Sequence, residues 1–220
     1  YAHLPHLFKP QRRIHAAELP PSDAKLDMLS LCIRRLGEAG YVYIGMDHFA
    51  KPTDELAIAQ RQGRLLRNFQ GYSTHADSDL VACGVSAISS VGMCYSQNAK
   101  TLDEYYERLD HDELPVARGY QLSMDDVLRR FIIQMLMCNF ELSIRSLEEA
   151  YPISFHAYFA LELEQLKELQ AMGLLTMDDE WIEVTLKGRL LIRNICMVFD
   201  RHLQQARRLQ SEPLRYSRTV

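Results

Sequence analysis

No two of the five cysteines (Cys32, Cys83, Cys94, Cys138 and Cys196) stand closer than eleven residues apart. The CxxC and CxxxCxxC spacings that let thiolates converge on zinc or an iron–sulfur cluster are missing, so the sequence offers no metal ligands. An odd, scattered set also suits reduced thiols better than a disulfide framework. Long apolar runs are absent: none approaches the ~20 residues of a membrane span. Basic excess is absent as well, because 25 Lys and Arg against 29 Asp and Glu leave a net charge of −4. No global field therefore draws in nucleic acid or an anionic membrane. There is no signal peptide, internal repeat or low-complexity segment. The first residue is Tyr1 rather than Met, and the expectation is a chain that begins inside a longer, cytoplasmic protein.

What remains is ordinary for a folded protein with a real core: 220 residues, 47% hydrophobic and 25% charged, enough for one or two domains. Tyr1–Leu4 reads as the end of a strand, and residues 5–20 as an irregular surface segment. Ser22 and Gly40 bracket a helix carrying Leu26, Leu29, Ile33 and Leu36. Residues 41–46 read as a strand, residues 47–52 as a loop, and residues 53–66 as a helix. The stretch 67–72 reads as irregular, and 80–91 as a tightly packed strand and turn. Thr101 and Glu104 open a short helix. A domain boundary is expected near Gly119, dividing the chain into 1–119 and 120–220. Beyond it the pattern becomes helical. Ser123 caps a helix with Leu128, Phe131, Ile132, Met135 and Leu136 on one face, and 144–150 forms a second. Ser154 opens a long third helix ending at Gly173, a hairpin flanks Asp178-Asp179, and Thr185 caps a final helix running past Phe199. That order is the order of a winged-helix module.

A winged helix can enter a DNA groove, but its third helix carries Glu162, Glu164 and Glu168 against Lys167 alone, which phosphates would repel. A packing role is expected. The basic final stretch (Arg201, Arg207, Arg208, Arg215, Arg218) fits an anion clasp or a solvated tail equally. His3, His6 and His15 read as a polar surface. Asp47 and His48 could form an acid–base pair, yet neighbours on a strand point to opposite faces, so a loop-fixing role is expected. Arg67, Asn68 and Gln70 around Phe69 form a natural wall for a polar ligand, or a turn that satisfies itself. Gly84–Ser90 is made of small and β-branched residues that a flat ligand could lie against, though close packing explains them equally.

Six motifs in order then resemble one family. They are Tyr1-Ala2-His3-Leu4-Pro5, Gly45-Met46-Asp47-His48-Phe49-Ala50, Asp54-Glu55-Leu56-Ala57, Arg67-Asn68-Phe69-Gln70-Gly71-Tyr72, Gly84-Val85-Ser86-Ala87-Ile88-Ser89, and the run from Thr185 to Met197. Together they resemble the bacterial oxygen-independent coproporphyrinogen III oxidases, radical-SAM enzymes of haem biosynthesis. The resemblance implies an α+β, mainly helical fold: a remnant of a radical-SAM (β/α) partial barrel, then a helical winged-helix-like domain. It implies two S-adenosylmethionine molecules and a 4Fe–4S cluster in the complete enzyme, whose cluster ligands this chain lacks. A 5′-deoxyadenosyl radical would take hydrogen from a propionate of coproporphyrinogen III. Loss of carbon dioxide and an electron would leave a vinyl group, twice over, giving protoporphyrinogen IX. Carried across by motif, Ala2 and Ile88 would contact S-adenosylmethionine, and Phe69 and Gln70 would border the second such molecule and the substrate pocket. An electron donor, an electron acceptor and a monomeric complete enzyme are also implied. The alternatives are a haem chaperone of the same family and an interaction module that works without the catalytic half.

Overall fold

The computed structural model describes residues 3–6, 8–75 and 78–208. Among them His3 and Leu4 are not in a strand, and the segment that follows contains two short 3-10 turns, Lys9–Arg13 and Ala16–Glu18. Helix α1 (Ser22–Glu38) ends where Gly40 takes a φ of 77°, and Tyr41 N–H returns to the Leu36 carbonyl. Leu26, Leu29, Ile33 and Leu36 are half-buried, and no residue of α1 is fully buried. The helix rests only one stripe on the strand that follows.

That strand, β1 (Val42–Gly45), pairs antiparallel with β2 (His48–Ala50). The loop expected at 47–52 is thus in its first half a strand, because Met46 adopts a φ of 55° and turns the chain back. Asp54 caps α2 (Glu55–Arg61), which stops well short of Leu66 at a left-handed Gly63. The segment 67–72, expected to be irregular, is a hairpin of β3 (Leu66–Asn68) and β4 (Gly71–Ser73). β5 (Ile88–Val91), β6 (Cys94–Asn98) and, after α3 (Leu102–Asp110), β7 (Val116–Gln121) make an antiparallel sheet. β7 runs through Gly119, so the boundary expected near that residue falls within a strand.

α4 (Met124–Asn139) opens with a capping box in which the Ser123 hydroxyl accepts from Asp126 N–H and Asp126 accepts from Ser123 N–H. It closes on Phe140, held left-handed at φ 63°. β8 (Glu141–Ser143), which the sequence did not announce, leads into α5 (Ile144–Ala150). The expected long third helix is two pieces, α6 (Phe155–Tyr158) and α7 (Ala160–Ala171), broken at Phe159. Ser154 makes no side-chain cap there; Glu148 accepts from Phe155 N–H at 2.6 Å instead. β9 (Leu175–Met177) and β10 (Trp181–Val184) form the expected hairpin, and β10 also pairs with β8. The final helix is likewise interrupted: α8 (Leu186–Leu190), α9 (Ile192–Cys196), a 3-10 turn, then α10 (Arg201–Arg208).

The fold is α+β, about half helical, with small sheets whose strand pairs are all antiparallel among the described residues. The main core lies between 128 and 199, built on fully buried Ile132, Leu136, Phe155, Phe159 and Phe199. Phe131, expected on the same face as Leu128, Ile132 and Leu136, instead turns to a second side of α4 that faces a cavity beside the β3–β4 hairpin, while Met135 packs against the core and also borders that cavity.

Candidate functional site

Two glutamine amides fix that hairpin and the elements beside it. Gln134 of α4 accepts from Arg67 N–H at 3.0 Å and donates to Arg67 C=O at 2.5 Å, so its amide serves β3 as a strand neighbour would. Gln60 of α2 donates to the Ile44 carbonyl at 2.6 Å and to the Cys138 carbonyl at 2.8 Å, joining β1 to the end of α4. Gly45 lets these parts close up: a Cβ there would strike the Tyr72 hydroxyl and come within 3.3 Å of the Phe140 ring. Burial pushes Tyr72 above its ordinary pKa and raises Tyr43 to about 12, so both phenols stay protonated in this seam.

Between the hairpin, the β5–β6 end and the second side of α4 lies a cavity of about 640 Å³. Phe69 stands at its mouth, 60% exposed, with its ring edge-on to Tyr95 at 5.7 Å. Arg130 continues that wall, its guanidinium 5.9 Å from the Tyr95 ring and Nη1 3.3 Å from the Tyr95 hydroxyl. Phe131 and Tyr151 also line the cavity, their rings 5.8 Å apart. Three arginines line the cavity, Arg64, Arg67 and Arg130, against one carboxylate, Asp79, which accepts from Gly92 N–H at 2.8 Å. The Arg67 guanidinium packs 4.8 Å over the Tyr72 ring, and its buried Nη1 has no hydrogen-bond partner among the described residues. Such a chamber suits a flat, partly apolar ligand with negative groups at its edge.

The residues singled out from sequence fall as follows. Phe69 and Gln70 form the hairpin turn; Phe69 reaches the cavity, while Gln70 N–H donates to Asn68 Oδ1 at 2.8 Å and its side chain is exposed. The segment is a turn that satisfies its own backbone, and its Phe69 also lines the cavity. Ile88 is half-buried on β5 and shares a strand face with Ser90, which lines the cavity. Ala2 lies outside the described residues. Asp47 and His48 converge after all, with Oδ1 and Nδ1 2.9 Å apart, because Asp47 sits in the turn and not in the strand. The His48 ring packs edge-on to Tyr72 at 5.0 Å. Glu162, one of the acidic residues of the third helix, pairs with Arg129 at 2.7 Å. Among the described residues no group of three or more His, Cys, Asp and Glu side chains could hold a metal ion. The thiol of Cys138 is pushed up by burial to about 12, and that of Cys196 further still.

Arg130, Phe131, Gln134 and Tyr95 escaped the sequence reading. A signal existed: Val127, Arg130, Phe131, Gln134 and Met135 recur at helical spacing, a second stripe on α4 beside the apolar one.

Residues 122–191 match the family described as the HemN C-terminal domain. Over 210 residues the chain is 51% identical to the oxygen-independent coproporphyrinogen III oxidase of Escherichia coli (strain K12), covering 96% of this chain and 46% of that protein. It is 49% identical over 220 residues to the protein so named from Pseudomonas aeruginosa, covering 100% of this chain and 47% of the other. A solved structure, coproporphyrinogen III oxidase (HemN) from Escherichia coli, described as a radical SAM enzyme, superposes with a TM-score of 0.87 at 51% identity, covering 92% of this chain and 47% of that one. The chain thus spans about half the length of the curated relatives it matches. Its similarity along nearly the whole chain is to the oxygen-independent coproporphyrinogen III oxidases.

Proposed function

We propose that this chain works as part of an oxygen-independent coproporphyrinogen III oxidase, in which two propionates of coproporphyrinogen III are oxidatively decarboxylated to vinyls. The observation that carries the reading is the 51% identity running along 96% of the chain, through the Phe69 hairpin and the arginine-lined cavity behind it. The described residues do not fit a 4Fe–4S cluster, since they bring no set of ligands together; cluster ligands would come from elsewhere in the complete enzyme. They do fit S-adenosylmethionine: the exposed Phe69 ring and the apolar Ile88 offer faces to its adenosyl group, with Gln70 as a further contact. Bound there, the cofactor supplies radical chemistry. The chain's own part is to orient it and to hold the substrate against it, with Gln134 fixing the hairpin and Gly45 letting the seam close and exclude water.

The finer architecture follows the same reading. α1 and β1 are the last helix–strand step of a partial barrel, and 123–208 is a winged-helix-like packing domain, with the division at Leu122. α7 is acidic and already engaged through Glu162, which supports a role in packing and not in nucleic-acid binding. The complete enzyme is monomeric and cytoplasmic and exchanges electrons with a separate donor and acceptor.

Exchanging the aligned 210 residues of the Escherichia coli relative for those of this chain tests the proposal. The exchange protein should load iron and form vinyl product. Full iron content without product would overturn the reading. Within it, Phe69→Ala should lower product by roughly 100-fold while leaving iron per chain unchanged, since small misplacements of a positioned reactant cost about that much.

A further inference from the structure

The chain carries more acids than bases, 29 against 25, yet its cavity has the opposite sign. Three guanidinium groups face it with one carboxylate. Most cations near the core are neutralised at short range: Arg129, next to Arg130 in sequence, bridges Asp125 at 3.0 Å and Glu162 at 2.7 Å, and Arg201 reaches Asp125 at 2.7 Å. Among the described residues Arg64, Arg67 and Arg130 make no ion pair; their neighbours are Gln62, the Tyr72 ring and the Tyr95 hydroxyl. A buried guanidinium nitrogen without a partner among the described residues, as at Arg67 Nη1 and also at Arg189 Nε and Arg201 Nε, costs stability. Gathering uncompensated cations around one cavity is costly in an empty site and favourable in one that receives anions.

The shape narrows the ligand. The aromatic rings leave the forked donors of Arg67 and Arg130 to meet the rim of whatever lies against them. Forked guanidinium donors match carboxylates two bonds at a time, and a cavity of about 640 Å³ is in the range that holds one sizeable organic ligand. We infer that Arg64, Arg67 and Arg130 form a carboxylate-binding rim that grips the acidic side arms of the substrate tetrapyrrole while its flat body lies against the Phe69–Tyr95 and Phe131–Tyr151 ring pairs. This rests on the reading of the chain as part of a coproporphyrinogen oxidase and adds which groups hold the substrate, and by which end. Arg67 and Arg130 are the specificity-determining pair. Gln134 positions Arg67 through both of its backbone polar atoms.

The test titrates coproporphyrin III, a stable tetracarboxylate form of the ring system, into the purified 220-residue chain and follows its visible absorption. Thermal melts of every variant confirm the fold. Wild type should bind. Arg67→Gln and Arg130→Gln should each weaken binding roughly tenfold or more, and Arg67→Lys should recover part of the loss by restoring charge without the fork. Arg118→Gln, on β7 and away from the cavity, should bind as wild type. The tetramethyl ester of the same porphyrin should not bind. The inference is overturned if folded wild type takes up no porphyrin, if the glutamine variants bind as well as wild type, or if the ester binds equally. It is also overturned if S-adenosylmethionine displaces the porphyrin with the same dependence on Arg67 and Arg130, which would assign the rim to that cofactor's carboxylate. Turnover in the exchange protein with porphyrin binding insensitive to these arginines would remove the inference and leave the functional reading intact.

Discussion

Asp126 is buried but charged. Burial alone would raise its pKa, but the Ser123 hydroxyl at 2.6 Å, the Ser123 N–H at 2.9 Å and the His202 ring at 2.7 Å outweigh that and hold it well below the usual carboxylate range. A depressed folded-state pKa gives stability that is complete above the unfolded value near ~3.9 and is lost as pH falls through the folded one. Asp126→Asn should therefore cost about 1–3 kcal/mol at neutral pH, with the gap to wild type narrowing below pH ~4. Urea titrations across that range would show it, and a gap independent of pH would contradict it. Half of this residue's role was readable in advance, because Ser123 three positions before an acidic residue is a helix-start signature. The other half was not: His202 arrives from 76 residues away, and no local pattern announces such a partner.

Elements with strong internal periodicity were legible, and those made by long-range partners were not. α1 and α4 declared themselves through spacing, α4 also through its Ser123 cap, whereas Ser22, expected to cap α1, is its first helical residue and Pro21 at the N-cap makes no side-chain bond; α5 and the β9–β10 hairpin also fell where the pattern put them. The hairpins β1–β2 and β3–β4 did not, because their turns are Met46-Asp47 and Phe69-Gln70, neither of them the Asn-Gly or Asp-Gly type that marks a two-residue turn. The three-residue strands of the second hairpin are too short for alternation to show, and β3 is held from outside by Gln134. Gln134→Leu should thus free the hairpin and leave the helix. Amide exchange at Arg67 should quicken by roughly ten- to a hundredfold, the loss of ~1–3 kcal/mol of local protection, with Ile132 and Leu136 unchanged; loss of protection in both places would mean Gln134 supports α4 itself. Gly188 shows the same dependence on distant packing. A Cβ there would run into the Leu174 carbonyl and lie 2.9 Å from Val184 Cγ1, so Gly188→Ala should destabilise α8 by at least ~1–3 kcal/mol in chemical denaturation, despite alanine's better helix propensity.

Across the molecule, Arg129 is the tie between α4, α7 and the segment before α10: it meets Asp125, Glu162 and the Phe199 carbonyl with its side chain only 12% exposed. Arg129→Met leaves the half-buried Glu162 without its cation, Asp125 keeping Arg201, a loss expected at about 3–5 kcal/mol and visible as a lowered thermal midpoint. The resemblance was legible in the motifs because they carry backbone and site requirements that recur in order. The cavity was not, since its walls come from α4, two sheets and a turn whose meeting only the fold decides. Anaerobic reconstitution with iron and sulfide should leave this chain without a stoichiometric 4Fe–4S spectrum after desalting. Its two buried thiols are held protonated, and the described residues assemble no ligand set; a retained cluster would refute that.

Phe140 ends α4 in a left-handed conformation, yet its ring lies parallel to Tyr43 at 6.4 Å and under Arg189 at 4.5 Å. The backbone at this position asks for glycine and the neighbouring rings ask for phenylalanine. The usual ranking of small residues should then invert. Phe140→Gly forfeits the ring but relieves a left-handed backbone that costs ~1–2 kcal/mol in any L-residue, whereas Phe140→Ala forfeits the ring and keeps the strain. A mutational search over this chain should find glycine better tolerated than alanine at 140, and comparing the two denaturation midpoints would show whether the seam is held by its rings at the expense of its backbone.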